Sequence, residues 1–303
     1  MIYTMTLNPA IDFLTQVPEL QVGTLNRATD EQYFAGGKGI NVSRVIKRLG
    51  VENIALGFIG GFTGEFIKEQ LAQEKIATNF TRVAGTSRIN VKVHGQSETA
   101  INTSGPAVTA AELEQLLKQL DQLKTKDIVV ISGSTPKNVP KSYLMEMVQR
   151  IHATGAQFIL DVEGLVLLDA LPYQPLLLKP NQDELAELFG EHALTAAQID
   201  EYGQQLVAKG AQHVIVSLGG AGAILYTSQG KYRADPVIGT VKNTVGAGDS
   251  VVAGFVATWQ QSHDALTSFK YGVAAGTATA FHDDLATQAQ ISDLLTKIHI
   301  IGE

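Results

Sequence analysis

Short β-branched runs alternate with helical periodicity through most of this chain, and that alternation constrains its fold more than any single motif. IYTMTL (2–7), NIALGFIG (53–60), DIVVISG (127–133), QFILDV (157–162), LLLKP (176–180) and HVIVSLG (213–219) read as strands. Between them, residues 39–49, 64–75, 109–124, 140–153, 181–190 and 195–209 place apolar side chains at helical spacing. Repeated strand-then-helix units demand a parallel sheet with helices on both faces, because each crossover lays a helix against the sheet. From about residue 244 the pattern turns almost wholly helical, with helices over 248–261, 264–281 and 288–298. Residues 12–34 and 86–104 break the rule: they are strand-like, mixed polar and apolar, and punctuated by Pro18, Gly23, Gly36, Gly37 and Gly95. They read as two excursions that pair into a small β lid. The expected organisation is a single domain over 1–303, with core 1–11, 35–85 and 105–303 and a discontinuous lid 12–34 and 86–104.

Composition narrows the function. With 303 residues, 45% apolar and 17% charged, the chain can bury a large core. A net charge of −7 argues against a nucleic-acid partner, which calls for a basic stripe. Cysteine is absent, which excludes disulfides, thiol catalysis and cysteine-held metals. The opening MIYTMTLNPAID has no secretory pattern and no apolar run reaches membrane-spanning length, so a cytoplasmic protein with no membrane partner is expected. The fingerprints of P-loop, dinucleotide, zinc-protease and nucleophile-elbow sites are all missing.

What remains are glycine-rich turns beside isolated charges. In TVGAGDS (244–250), Gly246 and Gly248 allow a tight turn whose N–H groups, with a helix N-terminus beginning there, make an anion cradle without a lysine. Asp249 at that point is either a helix cap or a proton-handling group, and the glycine pair tips the reading towards chemistry. In KPNQDELAELFG (179–190), Asn181 and Glu184 have capping-box spacing, and the same pair can organise a hydrated Mg²⁺ near phosphates. FAGGKGIN (34–41) gives a second glycine turn, with Lys38 in it and Asn41 in the first turn of a basic helix. Arg44, Lys47 and Arg48 of that helix read as a solvated face. In SRINVK (87–92) strand alternation puts Arg88, Asn90 and Lys92 on one face, which suits either a solvated edge or a lid over an anion. TLNPAID (6–12) offers Asn8 and Asp12 for sugar hydroxyls or for an Asx turn, and FHDDLA (281–286) reads as a helix boundary.

Taken together, AGGKGIN (35–41), SGSTP (132–136), KPNQDE (179–184) and NTVGAGDSVVAGFV (243–256) resemble, in order and across the whole chain, the PfkB or ribokinase-like carbohydrate kinases. TLNPAID and TSRINVK are similar to the branch acting on sugar phosphates, although Thr135 stands where that branch more often has leucine. The resemblance implies a ribokinase-like three-layer α/β fold with a mostly parallel sheet. It also implies ATP as co-substrate, Mg²⁺ and a homodimer formed through the lid. The implied reaction is phosphorylation of a ketohexose monophosphate, fructose 1-phosphate at its 6-hydroxyl, with tagatose 6-phosphate as the alternative acceptor. A non-catalytic sugar-phosphate or nucleotide sensor is the rival from another class.

Residue roles follow from the same resemblance. Asp249 becomes the general base, with the amides around Gly246, Ala247 and Gly248 as the anion hole. Asp12, Gly37, Asn41 and Asn90 face the sugar, while Lys38, Arg88 and Arg27 hold its phosphate. Lys179, Asn181, Ser217, Gly219 and Gly222 line the nucleotide path, and Glu184 serves the metal.

Overall fold

The computed structural model describes all 303 residues. From its start the chain lays down β1 (Ile2–Thr6), leaves the main sheet for β2 (Ala10–Gln16) and β3 (Thr29–Gly36), and returns through α1 (Lys38–Arg48) to β4 (Asn53–Ile59). Helix α2 (Gly61–Gln73) leads to two short strands beside β4, β5 (Ala77–Thr78) and β6 (Thr81–Arg82). A second departure makes β7 (Arg88–His94) and β8 (Thr99–Ile101). Alternation then resumes with α3 (Ala110–Leu120), β9 (Ile128–Ser132), α4 (Ser142–Ala153) and β10 (Gln157–Asp161). It continues through α5 (Val166–Asp169), β11 (Leu177–Leu178), α6 (Gln182–Leu188), α7 (Ala196–Ala208) and β12 (His213–Ser217). The hairpin β13 (Ala223–Thr227) and β14 (Gly230–Ala234) precedes α8 (Ala247–Ser262), α9 (Ala265–Ala280), α10 (Gln288–Leu295) and β15 (Ile300–Gly302).

The main sheet runs β15-β14-β13-β12-β11-β10-β9-β1-β4-β5, with β6 also pairing to β4. It is parallel from β12 to β5 and antiparallel from β12 to β15. Strand β9 shows why: IVVIS is buried at every position, as a strand covered on both faces must be. Val129 and Ile131 enter one core with Leu116, Met147 and Leu206 of α3, α4 and α7. Ile128 and Val130 enter the other, with Val45, Phe255, Ala274 and Ile291 of α1, α8, α9 and α10. These two cores hold 34 and 29 buried residues, so the sheet is the middle layer of three. Helices α8 and α9 pack backbone to backbone: a Cβ on Gly254 would lie 2.5 Å from the Tyr271 carbonyl oxygen. No helix is long and apolar enough to cross a membrane.

The second sheet, ordered β3-β2-β7-β8, is built from the two segments that broke the alternation. Its parallel pair β2–β7 sets Asp12 opposite Asn90 and Ala10 opposite Arg88. Ile11 and Ile89 on the reverse face pack towards Ile67 and Leu71 of α2, which leaves the polar face free to look across at the main sheet.

Several strands depart from the sequence reading. β13 and β14 form a hairpin whose outer strand, GKYRA, is mostly polar, so neither alternation nor an apolar run marks it. β15 is three residues long and antiparallel to β14, so the chain does not stay helical after 244 but ends as an edge strand. β11 contracts to two residues because Pro180 lacks the N–H needed to extend it.

Candidate active site

The C-terminal ends of the parallel strands face the polar side of the second sheet across a cleft of about 1190 Å³. Open α/β sheets expose functional groups at that edge. Thr6 ends β1, Gly133 follows the end of β9, Asp161 closes β10, and Lys179 and Ser217 lie at the ends of β11 and β12. Asp12, Arg88, Asn90 and Lys92 close the cleft from the second sheet.

The glycine turn at 244–249 sits at the middle of this cleft. Gly246 is the N-cap of α8, with φ 77°, and no side chain caps the helix. A side chain there would meet the strain of a left-handed residue and also Leu285, whose Cδ2 lies 2.5 Å from the position of a Cβ. The Ala247 N–H donates to the Thr244 carbonyl at 3.2 Å, while the amides of Gly248 and Asp249 have no acceptor in the protein. Asp249 is the third helical residue and is buried. Its carboxylate does not cap the helix; instead the Asn41 side-chain amide donates to Asp249 Oδ2 at 2.8 Å. The cap reading of Asp249 therefore gives way. Asn41 belongs to the first glycine signature and Asp249 to the second, so this bond joins two motifs 208 positions apart.

A network of charges surrounds that bond. Asp161 Oδ1 lies 3.3 Å from Lys179 Nζ, and Asp161 Oδ2 lies 3.9 Å from Lys38 Nζ. Burial pushes the Asp249 carboxyl up, to about 7; Asp161 adds to the rise, and Asn41, Lys38 and Lys179 oppose it. Burial acts to lower the Lys179 pKa, but Asp161, Glu184 and Asp249 outweigh it and the net shift is upward. Two lysines and two carboxylates thus meet at one wall of the cleft, all but Lys38 buried, with the proton affinity of Asp249 raised towards neutrality.

On the side of the second sheet the Asn90 amide donates to Asp12 Oδ1 at 2.9 Å. Arg88 donates to the carbonyls of Asn8 and Thr103 and to Ser134 Oγ, at 3.1, 3.2 and 3.3 Å. Burial lowers its pKa, against the Asp12 charge, which raises it. The side-chain oxygens Asn8 Oδ1 and Asn90 Oδ1 are buried on the cleft wall without a partner in the protein, so each can accept a hydrogen bond from water or from a ligand. On the other side Asn181 and Glu184 form the capping box of α6. Glu184 Oε2 accepts the Asn181 N–H at 2.9 Å, and Asn181 Oδ1 accepts the Glu184 N–H at 2.8 Å. Ser217, Gly219 and Gly222 continue that wall, and Val237, Val273 and Phe281 make its far end apolar.

Of the site residues expected from the sequence, Arg27 alone stays away from the cleft; it sits on the exposed segment between β2 and β3. The others, from Asp12 and Gly37 to Gly222 and Asp249, all line it. Asp161 is missing from the sequence reading, although a carboxylate ending the buried run FILD is a legible signal. Arg44 and Arg48 are not on a solvated face. They pair with Glu74 and Asp284, and Arg44 is buried.

Comparison with known proteins agrees with this geometry. The description "pfkB family carbohydrate kinase" matches residues 5–291. The chain is 43% identical over 300 residues to a 1-phosphofructokinase of Bacillus subtilis, covering 99% of both chains. It is 38% identical over 301 residues to a D-tagatose-1-phosphate kinase of Bacillus licheniformis, again over 99% of both. Phosphofructokinase-2 from Escherichia coli, solved in complex with fructose-6-phosphate, superposes with a TM-score of 0.92 at 30% identity, over 98% of each chain. A mostly parallel ribokinase-like sheet, a second small sheet facing it and two glycine signatures joined through Asn41 and Asp249 are thus one inheritance: the chain belongs to the PfkB family of carbohydrate kinases.

Proposed function

We propose that this kinase transfers the γ-phosphoryl group of ATP to the 6-hydroxyl of fructose 1-phosphate, giving fructose 1,6-bisphosphate. The observation that carries the reading is Asp249: a buried carboxylate beside free amides, held by Asn41 where the two halves of the cleft meet. A sensor has no use for such a group. A kinase needs it at the point where acceptor hydroxyl and phosphoryl group come together.

Asp12, Asn90 and Asn41 orient the sugar, and Lys38 and Arg88 hold its phosphate, which fixes the distance between that phosphate and the attacking oxygen. Asp249 takes the hydroxyl proton as the oxygen attacks phosphorus. The Gly248 and Asp249 amides, at the N-terminus of α8, stabilise charge on the transferring group, and Lys179 supplies a cation beside them. ADP departs along Asn181, Ser217, Gly219 and Gly222. The residues fit a hydrated Mg²⁺: Glu184 gives one carboxylate oxygen to its cap and keeps the other for the cleft, which it lines. When bound, the metal neutralises phosphate charge. The second sheet acts as a lid that excludes water, a competing acceptor. The exposed Val22, Leu25, Tyr33 and Ile101 on that sheet and its loop support its use as a dimer contact.

The name of the Bacillus licheniformis relative favours a second reading, in which tagatose 1-phosphate is the acceptor. The two sugars are C4 epimers with the same phosphate and the same attacking hydroxyl. ADP release measured side by side with fructose 1-phosphate, tagatose 1-phosphate, tagatose 6-phosphate, fructose 6-phosphate and free fructose tests both readings. The highest kcat/KM is expected for fructose 1-phosphate; a preference for either 6-phosphate overturns the assignment, and silence on all five restores the sensor.

A further inference from the structure

The turn after α9, Phe281–Ala286, is held by an ion network that the kinase reading does not use. Arg44 and Arg48 stand one helical turn apart on α1, the helix that also carries Asn41. Arg44 Nη2 reaches Asp284 Oδ2 at 3.2 Å, and Arg48 Nη2 reaches the same oxygen at 2.9 Å. Both guanidinium groups also pair with Glu74 at the C-cap of α2. Arg48 Nη1 donates in addition to the Leu285 main-chain carbonyl. Two cations and two anions thus alternate around the turn and fix its backbone.

Two connections lead from that turn to the anion cradle. The Leu285 side chain fills the space beside Gly246 that a Cβ would need. The Ala286 N–H donates to Thr279 Oγ1 at 3.0 Å, Thr279 Oγ1 bonds Ser250 Oγ at 2.8 Å, and Ser250 Oγ donates to the Gly246 carbonyl at 2.8 Å. The segment approaching the cradle is tied down as well, since the Lys242 and Asn243 amides donate to the Ala280 carbonyl.

We propose that Arg48, acting with Arg44, Asp284 and Glu74, is a positioning residue for phosphoryl transfer. It fixes residues 284–286 and, through Leu285 and the Thr279–Ser250 bonds, sets the height of Gly246 and of the amides that follow it. Because α1 carries both the arginines and Asn41, one rigid element places the cradle and the group that holds Asp249. This rests on the kinase reading above for its activity readout and on geometry alone for its structural one.

The test compares Arg48→Met, which keeps the aliphatic stem and removes the donors, with Arg48→Lys, Asp284→Asn and the control Lys47→Met. Lys47 pairs with Glu52 beyond the end of the same helix and does not reach the turn. For wild type and variants, steady-state kinetics with fructose 1-phosphate and MgATP are read together with hydrogen exchange of the amides at 246–250 in the full chain. Arg48→Met is expected to lower kcat about tenfold or more, while both KM values stay within about twofold, because a displaced cradle is felt chiefly in the transition state. Asp284→Asn should show a smaller fall of the same kind, Arg48→Lys should recover part of the loss, and Lys47→Met should change nothing. Within that stretch the bonded amides of Ala247 and Ser250 should exchange about tenfold faster in Arg48→Met than in wild type. Unchanged exchange there overturns the proposal, whatever the wild-type enzyme does with sugar phosphates. In an active enzyme, so does a rise in KM at constant kcat. A wild type inactive on fructose 1-phosphate defeats the substrate reading and leaves the exchange comparison to decide the positioning role.

Discussion

Replacing Asp249 with asparagine removes the proposed base and keeps the shape, and it should make the protein slower and more stable at once. A carboxyl raised from about 3.8 to about 7 binds its proton more tightly in the folded chain than in the unfolded one. Below the lower value the group costs nothing. As pH rises between the two values, folding stability is progressively lost, and above about 7 the loss is constant. At about 1.4 kcal/mol for each tenfold change in affinity, the gross effect is about 4 kcal/mol. The substitution Asp249→Asn would relieve it but would also take a counter-charge from Lys179 and Lys38, so a net gain of about 2 kcal/mol at pH 8 is expected. For a chain of 303 residues that is roughly 3 °C in Tm. The assay is thermal unfolding of both proteins at pH 5 and pH 8, paired with kcat at pH 8. The stability gap should be wide at pH 8 and narrow at pH 5, with kcat lower by about 10²–10⁴-fold and KM little altered. The wild-type kcat/KM should climb with pH and level off above about 7, following ionisation of Asp249 in the free enzyme. A variant less stable at pH 8, or a gap equal at both pH values, refutes the assignment of a buried, proton-hungry carboxyl. Near-normal turnover refutes the base.

Other perturbations test separate parts of the site and fold. Gly246→Ala puts a methyl group against Leu285 in a left-handed turn; kcat should fall about 100-fold, with Tm lower by an amount matching about 2 kcal/mol. Lys38→Ala and Arg88→Ala should each raise the KM for fructose 1-phosphate about tenfold or more and leave the KM for ATP within about twofold; isothermal titration with the sugar phosphate alone checks the same point. Gly254→Ala drives a Cβ into the Tyr271 carbonyl and should lower stability by about 1–3 kcal/mol in urea unfolding, with kinetics at 25 °C nearly unchanged.

The layered fold was legible because IVVIS and its counterparts are apolar at nearly every position, a pattern that only doubly covered strands require. GKYRA, a mostly polar strand held between two neighbours, and IIG, a three-residue edge strand, were not, because both take their structure from the strands beside them rather than from an internal pattern. The glycine signatures announced the site, since Gly246 serves a turn that few other residues can make. What the sequence reading lacked was Asp161, which ends β10 and reaches both Lys179, just past the neighbouring β11, and Lys38 at the start of α1. Arg44 and Arg48 illustrate the same limit. Helical periodicity says which residues share a face, not what covers it, and here Glu74 and Asp284 cover it.

The place of β1 in the sheet bears on how the chain folds as it is made. β1 leaves the ribosome before both of its neighbours, β4 and β9, so its second edge stays unpaired until residues 128–132 have emerged. At about 5–20 residues per second the exposed strand waits several seconds or more with its hydrogen-bonding edge open to other nascent chains. Pairing partners that lie so far apart in the chain make refolding slow for the same reason. The central position that anchors Thr6 on the cleft therefore also leaves β1 with an open edge, a site for aggregation, in the unfinished protein.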